Sequence, residues 1–416
     1  MTMPRYITNI HINNLLHLRD FDIQIADEAA PHLILTGKNG SGKTITLNAI
    51  ADFLDKIKAD TQLTFLKYSE WIKQQETILS THSEGSPGYV GAQSTLKSCQ
   101  QMYDDLYGKV SVDFAGGYGF INDYNAGNFI IAFYQASRKP QIQEPKNPTK
   151  PQIEAKTDVR RLMTGQLLNF LSDLKIQEAL ARNEQQTADA DRIGEWFVNF
   201  ENVLKNLFDD SGLHLRFDYR DYTFHIETQG KSFKFTELSD GFSAIIDIIA
   251  DLILKMQEKG TVVMDYLKPG IVMIDEIETH LHLQLQKSVL PLLTRLFPNI
   301  QFIVTTHSPF VLNSLPDATA FDLEHHETIV NLSEYSYQAL TEGYFGVSSD
   351  SDYIKARLGQ LQALLAKESL SCEEKETAKQ IFTDFRSMSE AASPALVGQF
   401  NSLSVLYSEK IKGILG

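Results

Sequence analysis

Eight consecutive residues match a pattern that binds phosphate groups in many proteins. Residues 37–44 read Gly-Lys-Asn-Gly-Ser-Gly-Lys-Thr, which fits GxxxxGK[ST]. An apolar run at residues 32–35 precedes them and a helical pattern at residues 45–54 follows, so the loop is expected to join a strand to a helix. Backbone N–H groups of such a loop turn toward phosphate oxygens, and the helix N-terminus adds partial positive charge. The alternative is a chance match in a glycine-rich turn, and the flanking patterns weigh against it.

Each residue type in this loop has an expected task. Lys43 is expected to contact the β- and γ-phosphates of a nucleotide, and the Thr44 hydroxyl is expected to bind Mg²⁺. The residues expected to surround the phosphates are Gly37, Lys38, Asn39, Gly40, Ser41, Gly42, Lys43 and Thr44. The sequence therefore predicts a nucleotide-binding protein that uses Mg²⁺.

Two adjacent carboxylates follow an apolar run far downstream of the loop. Residues 271–276 read Ile-Val-Met-Ile-Asp-Glu. The carboxyl end of a parallel strand is where an α/β protein places its ligand chemistry. Asp275 is expected to hold Mg²⁺ through water, and Glu276 is expected to orient and deprotonate the attacking water. Such a run is common by itself, but beside a phosphate-binding loop it favours an ATPase.

A short Ser-x-Gly motif precedes an apolar helical pattern. Ser239, Asp240 and Gly241 come just before the helix expected at residues 244–254. One interpretation is a Ser/Asp helix cap, which the sequence also fits. The other is that the Ser239 hydroxyl, the Gly241 N–H and the helix N-terminus bind a γ-phosphate. The position of the motif, shortly before Asp275, favours the second interpretation.

A histidine ends a further strand pattern. Residues 301–309 read Gln-Phe-Ile-Val-Thr-Thr-His-Ser-Pro. A neutral imidazole at His307 can donate a hydrogen bond to the γ-phosphate and respond to its loss. The alternative, a capping or core histidine, is the commoner role of a lone histidine. The order of the four motifs along the chain favours the catalytic role.

Composition limits the class of protein. The chain has 416 residues, 43% of them hydrophobic and 22% charged, which is typical of a soluble globular protein with a main domain and a subdomain. It has no apolar run of 18 residues and no secretion signal at its start. Two cysteines, Cys99 and Cys372, predict a reduced cytoplasmic protein without disulfides. The net charge of −15 argues against a broadly basic nucleic-acid-binding surface, although a local basic patch is compatible with it.

Patterns along the chain predict five regions. Residues 1–137 are expected to form an N-terminal lobe, 138–158 a flexible Pro/Lys-rich loop, 159–210 a helical insert, 211–325 a C-terminal lobe and 326–416 a helical C-terminal region. The insert is expected to be a helical pair at residues 159–180 and 188–208. Strands are expected at residues 6–12, 21–25, 32–35, 109–114, 128–134, 213–219 and 222–226, the last two as a hairpin.

The Pro/Lys-rich loop carries a cluster of basic residues. Its polar composition lacks the apolar surface that would offset the entropy of ordering. The cluster comprises Lys139, Lys146, Lys150, Lys156, Arg160 and Arg161. A solvated linker is one interpretation, and a loop that contacts DNA or a partner is the other.

The four motifs in this order resemble those of ABC-type ATPases of the RecF, chromosome-maintenance and double-strand-break-repair group. Residues 274–282, Ile-Asp-Glu-Ile-Glu-Thr-His-Leu-His, together with residues 305–309, are similar to the compact members of that group. Those members are the ATPases of overcoming-lysogenization-defect nucleases and of Septu- and retron-type antiphage systems. The resemblance covers residues 5–50 and 232–325 and implies an α/β P-loop NTPase head of the ABC type. Such a head has a mixed sheet with flanking helices and an antiparallel subdomain, here with a helical insert and a helical C-terminal tail.

The resemblance also implies a mechanism. Its members form head-to-tail dimers that enclose two ATP molecules, so Ser239 and Gly241 would act on the partner subunit's ATP. Residues 277–279 would lie in the loop that crosses between the two sites. Gln135 would be the glutamine that contacts Mg²⁺ and water, and Arg138 is a rival phosphate contact.

Three departures from the resembled proteins matter. The signature reads Asp-Gly-Phe at residues 240–242, where transporters have Gly-Gly-Gln, which weighs against a membrane transporter subunit. Leu16 stands where many relatives have a basic residue, which puts an N-terminal phosphate contact in doubt. The acidic residues of a Toprim nuclease domain are missing, since Asp350 and Asp352 fit a helix cap better. Any nuclease would then be a separate chain.

The sequence therefore predicts an Mg²⁺-dependent ATPase in a homodimer or higher homo-oligomer. Its ATP-driven dimerisation is expected to switch a separate effector, of the HNH or Toprim nuclease type, in a bacterial antiphage system, with no membrane partner. The alternative is an ATPase of DNA repair or recombination, similar to RecF, that binds DNA when ATP is bound.

Overall fold

The computed structural model describes most of the chain and divides it into two units. The described residues are 5–25, 32–137, 142–144, 151, 158–257, 266–329, 332, 335–337, 339–340, 352–386 and 394–415. The first unit is Met1–Tyr337 and the second is Gln338–Gly416. Each unit has a hydrophobic core of its own.

The first unit contains three β-sheets. Its strands are β1 (Ile7–Leu15), β2 (Leu18–Gln24), β3 (Leu33–Thr36), β4 (Val110–Phe114), β5 (Ile130–Tyr134), β6 (His214–Asp218), β7 (Thr223–Thr228), β8 (Lys231–Lys234), β9 (Gly270–Ile274), β10 (Ile300–Thr305), β11 (Thr319–Asp322) and β12 (Glu327–Ile329). Its helices are α1 (Lys43–Ile57), α2 (Tyr68–Thr81), α3 (Pro87–Tyr107), α4 (Phe120–Asn125), α5 (Leu167–Asn183), α6 (Thr187–Phe208), α7 (Asp240–Met256), α8 (Leu283–Leu296) and α9 (Pro309–Leu312).

The largest sheet explains why the sequence motifs meet. Its order is β12-β11-β3-β10-β9-β5, and all neighbours are parallel except the β11–β12 pair. The strands β3, β5, β9 and β10 are wholly buried and mostly apolar, as expected for a parallel sheet covered by helices. Parallel strands bring their carboxyl ends to one edge, where the residues that follow these four strands come together. The predicted α/β P-loop fold is confirmed.

A second, antiparallel sheet has the order β2-β1-β4. The strands predicted at residues 6–12, 21–25 and 109–114 are confirmed here, and β1 extends to Leu15. The turn after β1 places Leu16 in the left-handed region, with φ of 58°, and leaves its side chain exposed. The strands β4 and β5 flank a glycine-rich turn and α4, and they lie in different sheets.

The helical insert begins later than the sequence predicts. The pair α5 and α6 is confirmed, but the helix predicted from residue 159 starts only at Leu167. Tertiary hydrogen bonds explain the difference, because the Met163 N–H donates to the Asp251 carboxylate and the Arg161 carbonyl accepts from Lys255. These backbone groups are therefore committed to α7. The predicted hairpin after the insert is confirmed as β6–β7, and β8 extends it to three strands.

A buried ion pair joins α7 to the large sheet. Asp251 and Lys255 lie one turn apart on α7 and pair in a fully buried environment. The Tyr134 hydroxyl, at the end of β5, donates to Asp251 over 2.7 Å. A buried charge is tolerated only when its partners are all in place, so this network fixes α7 relative to the strand end of β5.

A histidine at the start of β3 gives the fold a testable pH dependence. His32 is buried and its Nδ1 accepts a hydrogen bond of 3.1 Å from the Phe302 N–H. Burial lowers the pKa of His32 to about 4 from its usual 6.5. Since the unfolded chain takes up this proton first, the stability due to neutral His32 is complete above pH 6.5 and falls as the pH drops toward 4.

We expect wild type to lose about 3 kcal/mol more than a His32→Asn variant between pH 6.5 and pH 4. Asparagine keeps an acceptor for the Phe302 N–H but does not titrate. Chemical denaturation of both proteins at several pH values measures the difference. Parallel pH dependences would contradict the assignment.

The second unit is helical. Its helices span Asp352–Ala366, Cys372–Arg386, Pro394–Leu406 and Ser408–Leu415. Leucine and aromatic side chains from the first three form most of a separate core, which includes Leu361, Phe385 and Phe400. The helical pattern predicted from about residue 353 is confirmed. Among the described residues, no helix in either unit has the length and apolar character needed to cross a bilayer.

Candidate nucleotide-binding site

The phosphate-binding loop lies between β3 and α1, as the sequence predicts. Gly42 precedes the helix with φ of 100°, a conformation that strains other residues. A Cβ atom there would lie 2.6 Å from Leu18 Cδ1 on β2, so the loop packs directly on the antiparallel sheet. Lys38, Asn39 and Gly40 are exposed, while Ser41 and Lys43 are buried.

Lys43 is held inside the curve of the loop. Its Nζ donates to the Gly37 carbonyl over 2.7 Å and to the Lys38 carbonyl over 3.0 Å. Burial lowers the pKa of Lys43 to about 8, against the opposing field of the carboxylates Glu276 and Glu278. An ammonium group in this position supplies positive charge to the space that the loop surrounds.

Oxygen atoms from three segments converge beside Lys43. The Thr44 hydroxyl donates to Asp275 Oδ1 over 3.0 Å, and Thr305 Oγ1 donates to the same oxygen over 2.7 Å. Asp275 is buried and Thr44 is exposed, so the pair lies at the boundary between the core and the surface. Hydroxyl and carboxylate oxygens are hard ligands of the kind that Mg²⁺ prefers. The structure thus brings together two of the three residues predicted to bind the metal.

Thr305 is a site residue that the sequence analysis missed. Besides its bond to Asp275, its hydroxyl accepts a hydrogen bond of 2.7 Å from the Glu276 N–H. It lies at the end of β10, beside β9, and so it holds both predicted acidic residues from the neighbouring strand. The Thr-Thr dipeptide before His307 was the available signal in the sequence. Its role in holding the acidic pair becomes visible only when β10 is seen to lie beside β9.

Glu276 and His307 follow the neighbouring parallel strands β9 and β10 at the same sheet edge. Glu276 has φ of 43°, a turn conformation directly after β9, and it is partly exposed. His307 is half-buried. Burial and the positive charge of Lys43 lower the pKa of His307, while Glu276 and Asp275 oppose the shift. The lowered pKa favours the neutral imidazole.

The signature residues lie at the N-terminus of α7. Ser239 occupies the N-cap position, but its side chain makes no capping hydrogen bond there and is exposed. The helix-cap interpretation of Ser239 is therefore wrong for its hydroxyl. A Cβ atom on Gly241 would lie 2.6 Å from the His280 carbonyl oxygen, so only glycine fits against the loop that follows β9.

Gln135 directly follows β5 and is exposed. The preceding carbonyl, that of Tyr134, accepts the Asp275 N–H over 2.8 Å, so Gln135 lies at the same sheet edge as the acidic pair. Its rival Arg138 is outside the described residues. Of the basic cluster, only Arg160 and Arg161 are described, and Arg160 pairs with Asp52 on α1 over 2.6 Å.

Three kinds of comparison place the chain among known proteins. A family model described as "AAA domain, putative AbiEii toxin, Type IV TA system" matches residues 122–313, downstream of the phosphate-binding loop. A Septu protein PtuA of Bacillus mycoides (strain KBAB4) is 25% identical over 390 residues, which are 91% of this chain and 50% of the relative. A Retron Ec83 probable ATPase of Escherichia coli is 38% identical over 91 residues, 22% of this chain and 17% of the relative.

A solved SMC head domain from Thermotoga maritima overlaps 76% of this chain and 94% of its own, with 14% identity and a TM-score of 0.34. Because this TM-score is low, the fold assignment rests on the sheet order and the phosphate-binding loop. The predicted resemblance to ABC-type ATPases of the Septu and retron groups is confirmed, as is the interpretation as an ATPase. The chain spans about half the length of the Septu relative and a smaller part of the retron relatives.

Proposed function

We propose that the chain is an Mg²⁺-dependent ATPase of an antiphage defence system whose ATP-bound dimer switches a separate effector. The observation that carries the proposal is that three of the four motifs lie together, while the Ser239 hydroxyl is not committed to its own helix. The phosphate-binding loop, acidic pair and His307 converge at one sheet edge, while Ser239 faces solvent without a capping bond. Ser239 is exposed, while Gly241 is buried against residues 280–281, so the Ser239 hydroxyl is the part of the signature that is available to a second subunit.

The proposed site binds ATP through its phosphates. Lys43 and the backbone N–H groups of residues 37–44 would contact the β- and γ-phosphates. Thr44 and Asp275 would hold Mg²⁺, with Gln135 as a further ligand from the neighbouring strand. The metal neutralises phosphate charge as it develops in the reaction. The signature of the second subunit would close the far side of the γ-phosphate with the Ser239 hydroxyl and the Gly241 N–H.

The residues that would hydrolyse ATP, Glu276 and His307, belong to the same subunit as the phosphate-binding loop. Glu276 would accept a proton from the water that attacks the γ-phosphorus, and the bond to the β-phosphate oxygen breaks as ADP and inorganic phosphate form. His307 as a neutral imidazole would donate its N–H to a γ-phosphate oxygen. Loss of the γ-phosphate then removes what joins the two subunits, which resets the switch.

The effector part of the proposal rests on the relatives and on the chemistry of the chain. The Septu and retron relatives are the basis for placing it in antiphage defence. The acidic residues that suit a nuclease, Asp350 and Asp352, were expected to form a helix cap, and Asp352 is the first residue of a described helix. We therefore assign the effector, an HNH or Toprim nuclease, to a separate chain.

Mass photometry with the product of the neighbouring gene tests this proposal. With Mg²⁺ and ATP, a hydrolysis-deficient Glu276→Gln protein is expected to double in mass and then to bind the neighbour's product. The same mixture with ADP is the matched control and is expected to remain monomeric and unbound. Doubling that ignores the neighbour but captures duplex DNA in a salt-sensitive manner would favour the DNA-repair alternative.

A further inference from the structure

The side chain of Glu278, in the loop after β9, forms hydrogen bonds to the segment that carries His307. Glu278 Oε2 accepts a hydrogen bond of 2.8 Å from the Thr306 hydroxyl, and Glu278 Oε1 accepts one of 2.5 Å from the His307 backbone N–H. The sequence analysis placed Glu278 only in a loop that crosses between sites. The structure gives it two bonds to the residues immediately after β10.

We propose that Glu278 is a positioning residue for ATP hydrolysis, which sets the place of the His307 imidazole by holding its backbone. This inference rests on the proposed ATPase function. The two side-chain hydrogen bonds of Glu278 go to the residues that follow β10, and its charge also favours the ammonium form of Lys43. It acts through His307.

The energetics favour a positioning task over simple packing. Burial raises the pKa of Glu278, and the two donors from Thr306 and His307 oppose that rise. A buried carboxylate is costly unless donors satisfy it, and charge-assisted bonds have strong directional preferences. The backbone N–H of Glu278 itself also contributes, and the two donors from the His307 segment are lost when that segment moves.

The segments on both sides of the Glu278–His307 hydrogen bond are held by further hydrogen bonds. On the loop side, Glu276 N–H donates to Thr305 and the Ile277 N–H donates to the Thr305 carbonyl over 3.2 Å. On the histidine side, the Thr306 N–H donates to the Leu35 carbonyl of β3 over 3.0 Å. A second link joins the Ser308 hydroxyl to Gln286 on α8 over 2.7 Å. The residues on either side of His307 are therefore held independently, and Glu278 supplies the bond to the His307 backbone N–H itself.

Removing the carboxylate is expected to misplace the imidazole without emptying the ATP site. A shift of about 1 Å in a catalytic group costs about 10²-fold in rate. For Glu278→Ala we therefore expect kcat for ATP to fall by about 10- to 100-fold, with KM within about 3-fold of wild type. Glu278→Gln keeps one acceptor for the His307 N–H and is expected to recover part of the lost kcat.

Steady-state ATPase kinetics of five proteins test the inference: wild type, Glu278→Ala, Glu278→Gln, Thr306→Val and the control Glu327→Gln. Thr306→Val keeps the shape of a buried side chain but removes one donor to Glu278 and the acceptor of the Ser308 N–H, so an intermediate kcat is expected even if Glu278→Ala folds poorly. Glu327 is an exposed glutamate on β12 and its variant is expected to match wild type.

Unchanged kcat in Glu278→Ala and Thr306→Val would overturn the inference, as would equal losses in kcat and in ATP affinity, which indicate a merely structural role. Lys43→Ala, which is expected to bind ATP poorly, is measured in parallel to separate the two proposals. If wild type hydrolyses no more ATP than Lys43→Ala, the proposed ATPase function fails. If those two differ as expected and the Glu278 variants behave as wild type, only the positioning role fails.

Discussion

Replacing Glu276 with glutamine is expected to lower ATP turnover by about 10²–10⁴-fold while ATP binding is retained. The amide keeps the size of the side chain but cannot accept the proton of the attacking water. The Glu276 N–H bond to Thr305 and the Asp275 contact to Thr44 involve other atoms, so the metal side of the site is preserved. The ATP-bound dimer should therefore persist, because the step that separates the subunits is removed.

Single-turnover hydrolysis and size-exclusion chromatography measure the two effects. Asp275→Asn is the matched control on the adjacent residue, since it changes a carboxylate to an amide at the metal side instead of the water side. It is expected to weaken binding of Mg-ATP and to give little dimer. Wild-type turnover in Glu276→Gln would show that another group accepts the proton.

Sequence analysis predicts best the features that depend on residues close together in the chain. The strand, loop and helix around residues 37–44 follow one another along the chain, and glycine supplies the positive φ that the loop needs at Gly42. The acidic pair follows a fully buried apolar strand of five residues, and the short length of the apolar run favours a buried strand over a helix. Their order along the chain then predicts that both meet at one sheet edge.

The features that were missed depend on contacts between distant segments. Thr305 and Glu278 act through hydrogen bonds to residues about thirty positions away, which no local pattern contains. The late start of α5 has the same origin, because Asp251 on α7 takes the Met163 N–H that a helix would need. Local propensity predicted a helix there, and tertiary bonding to α7 prevented it.

In the proposed head-to-tail dimer, each ATP site is built from two chains, and this requirement can be tested directly. Lys43→Ala removes two charge-assisted donors from the phosphate side and is expected to weaken ATP binding by about 10²-fold or more. Ser239→Leu adds a bulky apolar group at an exposed signature position and is expected to block closure on the partner subunit's γ-phosphate. Each variant alone should be nearly inactive, although each keeps the other's half of the site intact.

Mixing the two inactive variants in equal amounts should restore about a quarter of wild-type ATPase activity, because half of randomly paired dimers are mixed and each of these has one intact site of two. The intact site combines the phosphate-binding loop of the Ser239→Leu chain with the signature of the Lys43→Ala chain. The double variant mixed with wild type is the control and is expected to add no such gain. If Ser239 serves its own chain's nucleotide instead, every mixed dimer contains two defective sites and the mixture stays inactive. Recovery on mixing therefore distinguishes a shared site from a self-contained one, since neither folding defects nor loss of ATP affinity can produce it.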